Sequence, residues 1–470
     1  MRTIYVILLL SLILPLQLSS SGRPWQKHLK GKSLKVNIPP LSETRLSNGI
    51  KVYYVQNDLL PRAQISVVIE GGVYEEPANL AGLTKLWGEA VVLSGSSNYP
   101  RTKLARLLET NAASFSFDDG FERMSFSFSS LTDYFTTGLR VVFDVIKNPR
   151  FADEDIALLR KQLLQAVKKR KENPARLGFL ASRLKAYENT LRGRVTTTKS
   201  IKGISKSKLI EWQKRLIAQK RISIVLAGDF NLPEIKSLLN SELGSLKTGA
   251  AVNTRVLKRH DAYDQHRQKL FYIEKQIPQT TVILKSRGIV HKSSEYYALK
   301  LYDFILGGDS FNSHLMQEIR VKRGWAYSVY SSYRAGRFVG DINIFAQSTN
   351  KNVPQLIDRF SEILRKPEAF ITAKRLQGAK QSLTNKYVFL YETPGQLASV
   401  RLAMKYDGLP DNYLDTYLKN INAVTLEQVL AVARKYYRPE NFFFLLVGPK
   451  NVWQGKKTTT TAIEALQVPE

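Results

Sequence analysis

The stretch Ile222-Ser223-Ile224-Val225-Leu226-Ala227-Gly228 returns 220 residues later as Phe442-Phe443-Phe444-Leu445-Leu446-Val447-Gly448. Each reads as a short strand that ends a half of the chain at a glycine. Other anchors hold nearly the same offset. Glu172-Asn173-Pro174-Ala175 matches Glu392-Thr393-Pro394-Gly395, and Ile204-Ser205 matches Val424-Thr425, a Ser or Thr N-cap before an amphipathic helix. Val52-Tyr53-Tyr54-Val55 with Leu60-Pro61 matches Leu270-Phe271-Tyr272-Ile273 with Ile277-Pro278. Chance matches scatter in offset, and these do not, so the chain is an internal duplication.

Two homologous domains follow, at residues 41–231 and 268–451, joined by a linker at 232–267 that holds Gly244 and a Thr-Gly-Ala-Ala stretch at 248–251. Each half opens with β-branched and aromatic strands, turns into a helix (79–93; 295–305), and in the first half shows period-2 alternation at Ser125-Phe126-Ser127-Phe128-Ser129. Long helical stretches follow at 135–146, 153–171 and 205–218. The expectation is an α+β protein: two α/β sandwiches facing each other across a cavity.

The whole chain of 470 residues contains no Cys and five His, so disulfides, thiolate nucleophiles and Cys-bound metals are excluded. Residues 29–259 contain no His. Lys and Arg number 70 against 40 Asp and Glu, a net charge of +30. That charge fits nucleic acid, an anionic membrane surface, acidic substrates or a solvated basic surface. Residues 1–21 read as a signal peptide: Arg2, an apolar run at 4–16 and Ser19-Ser20-Ser21. Export to the periplasm or envelope of a Gram-negative-type bacterium is expected, which argues against nucleic acid. Residues 22–40 form a basic extension, and 452–470 a polar tail.

The chain resembles the pitrilysin/insulinase family of inverted zinc peptidases, in its bacterial two-domain, processing-peptidase-like form. The resemblance rests on Leu46-Ser47-Asn48-Gly49, on Gly71-Gly72 with Glu75-Glu76-Pro77 and Ala81-Gly82-Leu83, and on Leu306-Gly307-Gly308 through Phe311-Asn312-Ser313-His314-Leu315 to Arg323-Gly324-Trp325-Ala326-Tyr327. Active members carry H-x-x-E-H on the helix after Gly82-Leu83, two His for Zn²⁺ with a Glu between them as general base, and a later acidic ligand. The matching positions here are Lys85, Gly88, Glu89 and, later, Ala166. The resemblance therefore implies a member with no intrinsic peptidase activity and no metal of its own. Lys85 and Glu89 have the spacing of an i,i+4 ion pair, an ordinary surface pair or one whose ammonium takes the lost cation's place.

In the second half the resemblance is intact. The family's Arg and Tyr, four residues apart, reach the zinc site of a facing domain and hold the substrate backbone and the oxyanion. Arg323 and Tyr327 match them. The family also adds peptide substrates to an edge strand that corresponds to Ala113, Ser114, Phe115, Ser116 and Phe117. These matches imply a non-catalytic subunit of a heteromeric zinc peptidase in the cell envelope, lending Arg323 and Tyr327 to a zinc-bearing homologous partner that acts on peptides. The alternative is an inert peptide-binding or scaffold protein of the same fold. The positive charge leaves an anionic membrane surface open as a further partner.

Overall fold

The computed structural model describes residues 40–257, 261–391, 393–453 and 462–470. The expected signal peptide and residues 22–39 of the basic extension lie outside them. Each half holds a six-stranded mixed sheet. The first contains β1 (Ser42–Arg45), β2 (Lys51–Gln56), β3 (Arg62–Glu70), β4 (Ser114–Asp118), β5 (Arg123–Leu131) and β6 (Ile222–Gly228), in the order β1-β2-β6-β3-β5-β4. The second contains β7 (Lys269–Glu274), β8 (Gln279–Gly288), β9 (Ala326–Arg334), β10 (Gly340–Thr349), β11 (Phe443–Gly448) and β12 (Ala462–Ala465), in the order β12-β7-β11-β8-β10-β9. The two orders are the same path, as a duplication requires.

The strands that end each half are the central ones. β6 enters between β2 and β3, parallel to β2, and β11 enters between β7 and β8, parallel to β7. Every residue of both is buried. A strand covered on both faces has no polar face to alternate with, which is why these two runs are continuously apolar. β3 and β5 are antiparallel with Ser66 opposite Ser127 and Ile65 opposite Phe128. Their apolar residues face the first core with Trp87, Phe135 and Leu139.

The halves exchange a helix. Helix Pro174–Ala186, from the first half of the sequence, packs on β8 and β11 of the second sheet. Helix Pro394–Asp407, its counterpart, packs on β2 and β6 of the first. Both start at a side-chain cap followed by proline: Asn173 accepts from the amide of Arg176, and Thr393 forms a reciprocal capping box with Gln396. Glycines permit the close approach. A Cβ on Gly178 would stand 2.9 Å from Ile283, and one on Gly395 2.4 Å from Gln64. Leu177 and Ala181 thereby join Phe271, Ile283 and Phe443 in one cluster, and Phe179 stacks on Phe345 at 5.5 Å.

Parts of the linker and of the polar tail are built into the fold. Within the linker, residues Leu232–Leu243 form a helix whose Ile235, Leu238, Leu239 and Leu243 enter the first core. Pro233 sits in its first turn, where proline is tolerated, and so opens a helix instead of breaking one. Within the expected polar tail, β12 adds to β7 in parallel and Val468 is buried. Arg170 donates to the carbonyl of Pro469 at 2.7 Å and Lys171 pairs with Glu470 at 2.5 Å, tying the chain's end to the first half.

Candidate functional site

The helix on which the family resemblance places the H-x-x-E-H positions spans Leu83–Ser94. Its N-terminus is capped from a distance: the buried carboxylate of Glu76 accepts from the amides of Gly82 at 2.9 Å and Thr84 at 2.7 Å. Anionic capping suits the positive end of the helix. Burial nevertheless pushes the Glu76 pKa up, against those two amides. Gly82 at φ 99° makes the turn into the helix.

One turn further, Lys85 reaches Glu89 at 2.8 Å and Asp119 at 3.7 Å. Burial works against the Lys85 charge, but the Glu89 hydrogen bond and the Asp119 charge outweigh it and hold the ammonium pKa above the ordinary lysine value. Burial, partly offset by Lys85, pushes Asp119 up. Between Lys85 and Glu89, the position that the family resemblance matches to the general base is Gly88, and the space for a side chain there is taken. A Cβ there would lie 2.1 to 2.4 Å from the ring of Phe117. Phe117 is wedged edge-on to Trp87, with centroids 5.5 Å apart, and lies 4.9 Å from Phe126.

Zinc does not fit these residues. The donor set is one ammonium and two carboxylates without imidazole, and an aromatic ring fills the site of the base. Ala166 is exposed on helix Asp153–Lys169 and has no ligating atom. Among the described residues no group of three His, Cys, Asp or Glu could hold a metal ion. His314 stacks flat on Phe370 at 4.0 Å with Arg375 beside its Nδ1. Burial and Arg375 bring its pKa down to about 4, so it is a neutral packing residue near pH 7.

The five edge-strand candidates fall at β4 and just before it. Ser114 and Ser116 point outward, Phe115 is buried, Phe117 is half-buried and Ala113 precedes the strand. β4 pairs only with β5, so its outer edge is open among the described strands.

Arg323 and Tyr327 lie on the other sheet. The turn between them uses Gly324 at φ 63°, and Tyr327 is the second residue of edge strand β9. Tyr327 is 77% exposed, and the Arg320 guanidinium lies over its ring at 4.6 Å. Arg323 Nη1 donates to the Glu318 carbonyl at 2.9 Å and to its carboxylate at 2.8 Å. Arg359 and Lys322 hold the same carboxylate. Burial opposes its charge, yet these three cations bring the Glu318 pKa down to about 2. Further along β9 the edge is closed, since a Cβ on Gly307 would stand 2.1 Å from the Ser331 amide nitrogen and Asp303 accepts from the amide of Tyr333.

Lys85, Gly88, Glu89 and Phe117 thus form one cluster and Arg323 with Tyr327 another. No ion pair or hydrogen bond joins the two among the described residues. Three members escaped the sequence reading: Phe117 as the filler of the Gly88 position, Asp119 as second partner of Lys85, and Glu318 as anchor of Arg323. A glycine inside an otherwise bulky helix, Leu86-Trp87-Gly88, was the available signal for the first.

Known proteins agree with this geometry. The model of the insulinase (peptidase M16) family matches residues 51–198, and that of the peptidase M16 inactive domain matches 203–383. A Helicobacter pylori protein described as a non-peptidase homolog, YmxG, is 24% identical over 405 residues, 85% of this chain and 92% of that one. A Mycobacterium leprae uncharacterized zinc protease is 24% identical over 88% of this chain and 92% of its own length. Among solved structures, a Pseudomonas fluorescens peptidase M16 inactive domain superposes with a TM-score of 0.76 at 24% identity, over 87% of this chain and 98% of that one. The periplasmic protease PqqL of Escherichia coli gives 0.74 at 20% identity, over 89% of this chain and 46% of its own. With its duplicated fold and both family models in register along the sequence, the chain belongs to the insulinase (peptidase M16) family as a non-catalytic member.

Proposed function

We propose that this chain is the non-catalytic subunit of a heteromeric zinc peptidase, and that Arg323 and Tyr327 complete the site of a zinc-bearing homologous partner. The observation that carries the reading is the asymmetry between the halves. At the positions matched to the metal site stand a glycine packed against the Phe117 ring and the Lys85–Glu89 pair, whereas Tyr327 is 77% exposed on an edge strand, beside Arg323. A phenol 77% exposed, with the Arg320 guanidinium over its ring, is available to donate to an oxyanion offered from outside. Arg323, a permanently charged fork, suits a peptide carbonyl or carboxylate. Zn²⁺ comes from the partner. The open edge of β4, with Ser114 and Ser116 outward, receives the peptide as an added strand. Lys85 takes the place of the lost cation between Glu89 and Asp119. Action in the envelope rests on the apolar run at residues 4–16 and on the likeness to a periplasmic protease.

An inert scaffold is the second reading, and one observation favours it: Arg323 Nη1 is already engaged by Glu318. Mixing the purified chain with a zinc-bearing family partner separates the two. Peptide cleavage by the mixture should fall by about two orders of magnitude for Arg323→Ala or Tyr327→Phe, the size typical of losing one oxyanion donor. Undiminished activity with both residues changed would sink the catalytic reading and leave the scaffold.

A further inference from the structure

The two halves leave a cleft of about 790 Å³ between them, within the usual size of a ligand site. Its floor is the polar face of β3 and β5, with Gln64, Ser66, Ser125 and Ser127. Its far wall is the turn from β9 into β10, with Arg334, Arg337 and Val339. It runs on into a hollow of about 610 Å³ that shares Phe121, Arg192 and Val339 with it, so the two make one elongated groove. None of Lys85, Glu89, Arg323 or Tyr327 lines either part.

The charges in this groove do not balance. Its acids are mostly committed to partners of this chain. Glu122 pairs with Arg192 at 2.5 Å, Asp407 with His291 at 2.6 Å, and Asp341 with the buried Lys285 at 3.1 Å and with the Tyr187 hydroxyl at 3.0 Å. Its remaining guanidinium groups are not so committed. Arg334 and Arg337 are exposed, and among the described residues neither forms an ion pair. Arg337 lies on Phe338 and Arg123 on Tyr406, contacts that orient a guanidinium without neutralising it. Arg194 donates to the carbonyl of Glu76, which carries no charge. Four cations therefore face a groove whose one uncommitted acid is Asp118.

We propose that this groove binds an extended acidic peptide segment. Guanidinium forks recognise carboxylates, the serine and glutamine floor recognises backbone amides, and Val68, Met124, Val225 and Val339 accept apolar side chains between the charges. A small inorganic anion would use the cations and leave the length and the apolar lining unused. The site is distinct from the Arg323 and Tyr327 surface, and it stands whether or not the chain lends those residues to a partner.

The test uses the full-length chain and fluorescein-labelled Glu-Val-Glu-Val-Glu-Val, read by fluorescence anisotropy at physiological salt. Because the whole chain is strongly basic, the control must carry the same charge change. Arg334→Glu/Arg337→Glu should weaken binding by at least about tenfold, whereas Lys168→Glu/Lys169→Glu, on an exposed helix end, should change it less than about twofold. Equimolar inorganic triphosphate should not displace the peptide. Equal losses in the two charge-reversed pairs, displacement by triphosphate, or no binding by the parent chain would each overturn the proposal.

Discussion

Gly88 shows how the metal site is closed at the level of single atoms. In a helix interior glycine costs about 1 kcal/mol relative to alanine, so an alanine there would normally stabilise. Here its Cβ would meet the Phe117 ring at 2.1 Å, an overpacking that costs about 1–3 kcal/mol. Gly88→Ala should therefore lower the thermal midpoint in the parent chain and raise it in a Phe117→Ala background, a reversal of sign that calorimetry reads directly. By the same geometry, Lys85→His/Gly88→Glu/Glu89→His/Ala166→Glu should bind no stoichiometric zinc while Phe117 is present; one zinc per chain in that variant, by elemental analysis, would mean the ring does not close the site. Two titrating residues, His314 and Glu318, act in the same direction, opposite to the buried carboxyls of Glu76 and Asp119. His314 is neutral in the fold with a pKa brought down to about 4, so its contribution is intact above the unfolded value near 6.5 and is lost as pH falls from there towards 4. Glu318, down to about 2, contributes fully above about 4.5 and is lost between there and 2. Unfolding free energy should decline in two stages on acidification. His314→Gln should shrink the first stage, which the likewise lowered His266 shares, and leave the Glu318 stage in place, as urea titrations at successive pH values would record.

At the scale of elements, the duplication was readable and the exchange of helices was not. Matches such as Ile222–Gly228 with Phe443–Gly448 announce two copies of one strand, because a buried strand shows its burial in an unbroken apolar run. Helix Pro174–Ala186 shows an equally clear cap and apolar face, but nothing in an amphipathic pattern says whose sheet the face will cover. Only the pair of glycines, Gly178 and Gly395, marked a close approach, and their partners Ile283 and Gln64 are remote in sequence. The linker and the tail hold elements for a related reason not visible locally: Pro233 stands in the first turn of a helix, and β12 finds its partner nearly two hundred residues away in β7. The exchange has a measurable consequence. Leu177→Ala removes a buried side chain from the first half of the sequence, at a cost of about 2–5 kcal/mol. The loss should appear as faster amide exchange in β8 and β11 of the second half, with β3 and β5 unaffected. Faster exchange confined to the first sheet would mean the helix does not stabilise the sheet it covers.

For the molecule as a whole, charge is the property its fold explains least. The duplication, the absence of His from residues 29–259 and the intact Arg323–Tyr327 stretch together made the family and its lost metal legible before any coordinates. The net charge of +30 did not point to one partner, because its cations are spread over both halves and over residues 22–39. Many pair locally, as Arg101 does with Asp155 and Lys147 with Glu242, and such pairs use up acids without reducing the excess. What remains is a long-range field, and a field of that kind acts on any extended anionic surface. Arg23, Lys27, Lys30, Lys32 and Lys35 stand in a stretch with no acid, which puts five cations within 13 residues of sequence. The full chain should associate with vesicles of phosphatidylglycerol and phosphatidylcholine, with an affinity that falls steeply as salt shortens the screening length from about 30 Å at 0.01 M to about 8 Å at 0.15 M. Removing residues 22–39 should weaken that association by about fivefold for each cation that reaches the surface, on the order of 1 kcal/mol apiece. Arg323→Ala, which touches the site proposed for a protein partner, should leave it unchanged. Co-sedimentation across a salt series separates these outcomes: association that ignores salt, or that depends on Arg323 as strongly as on residues 22–39, would remove the membrane surface as an explanation of the charge.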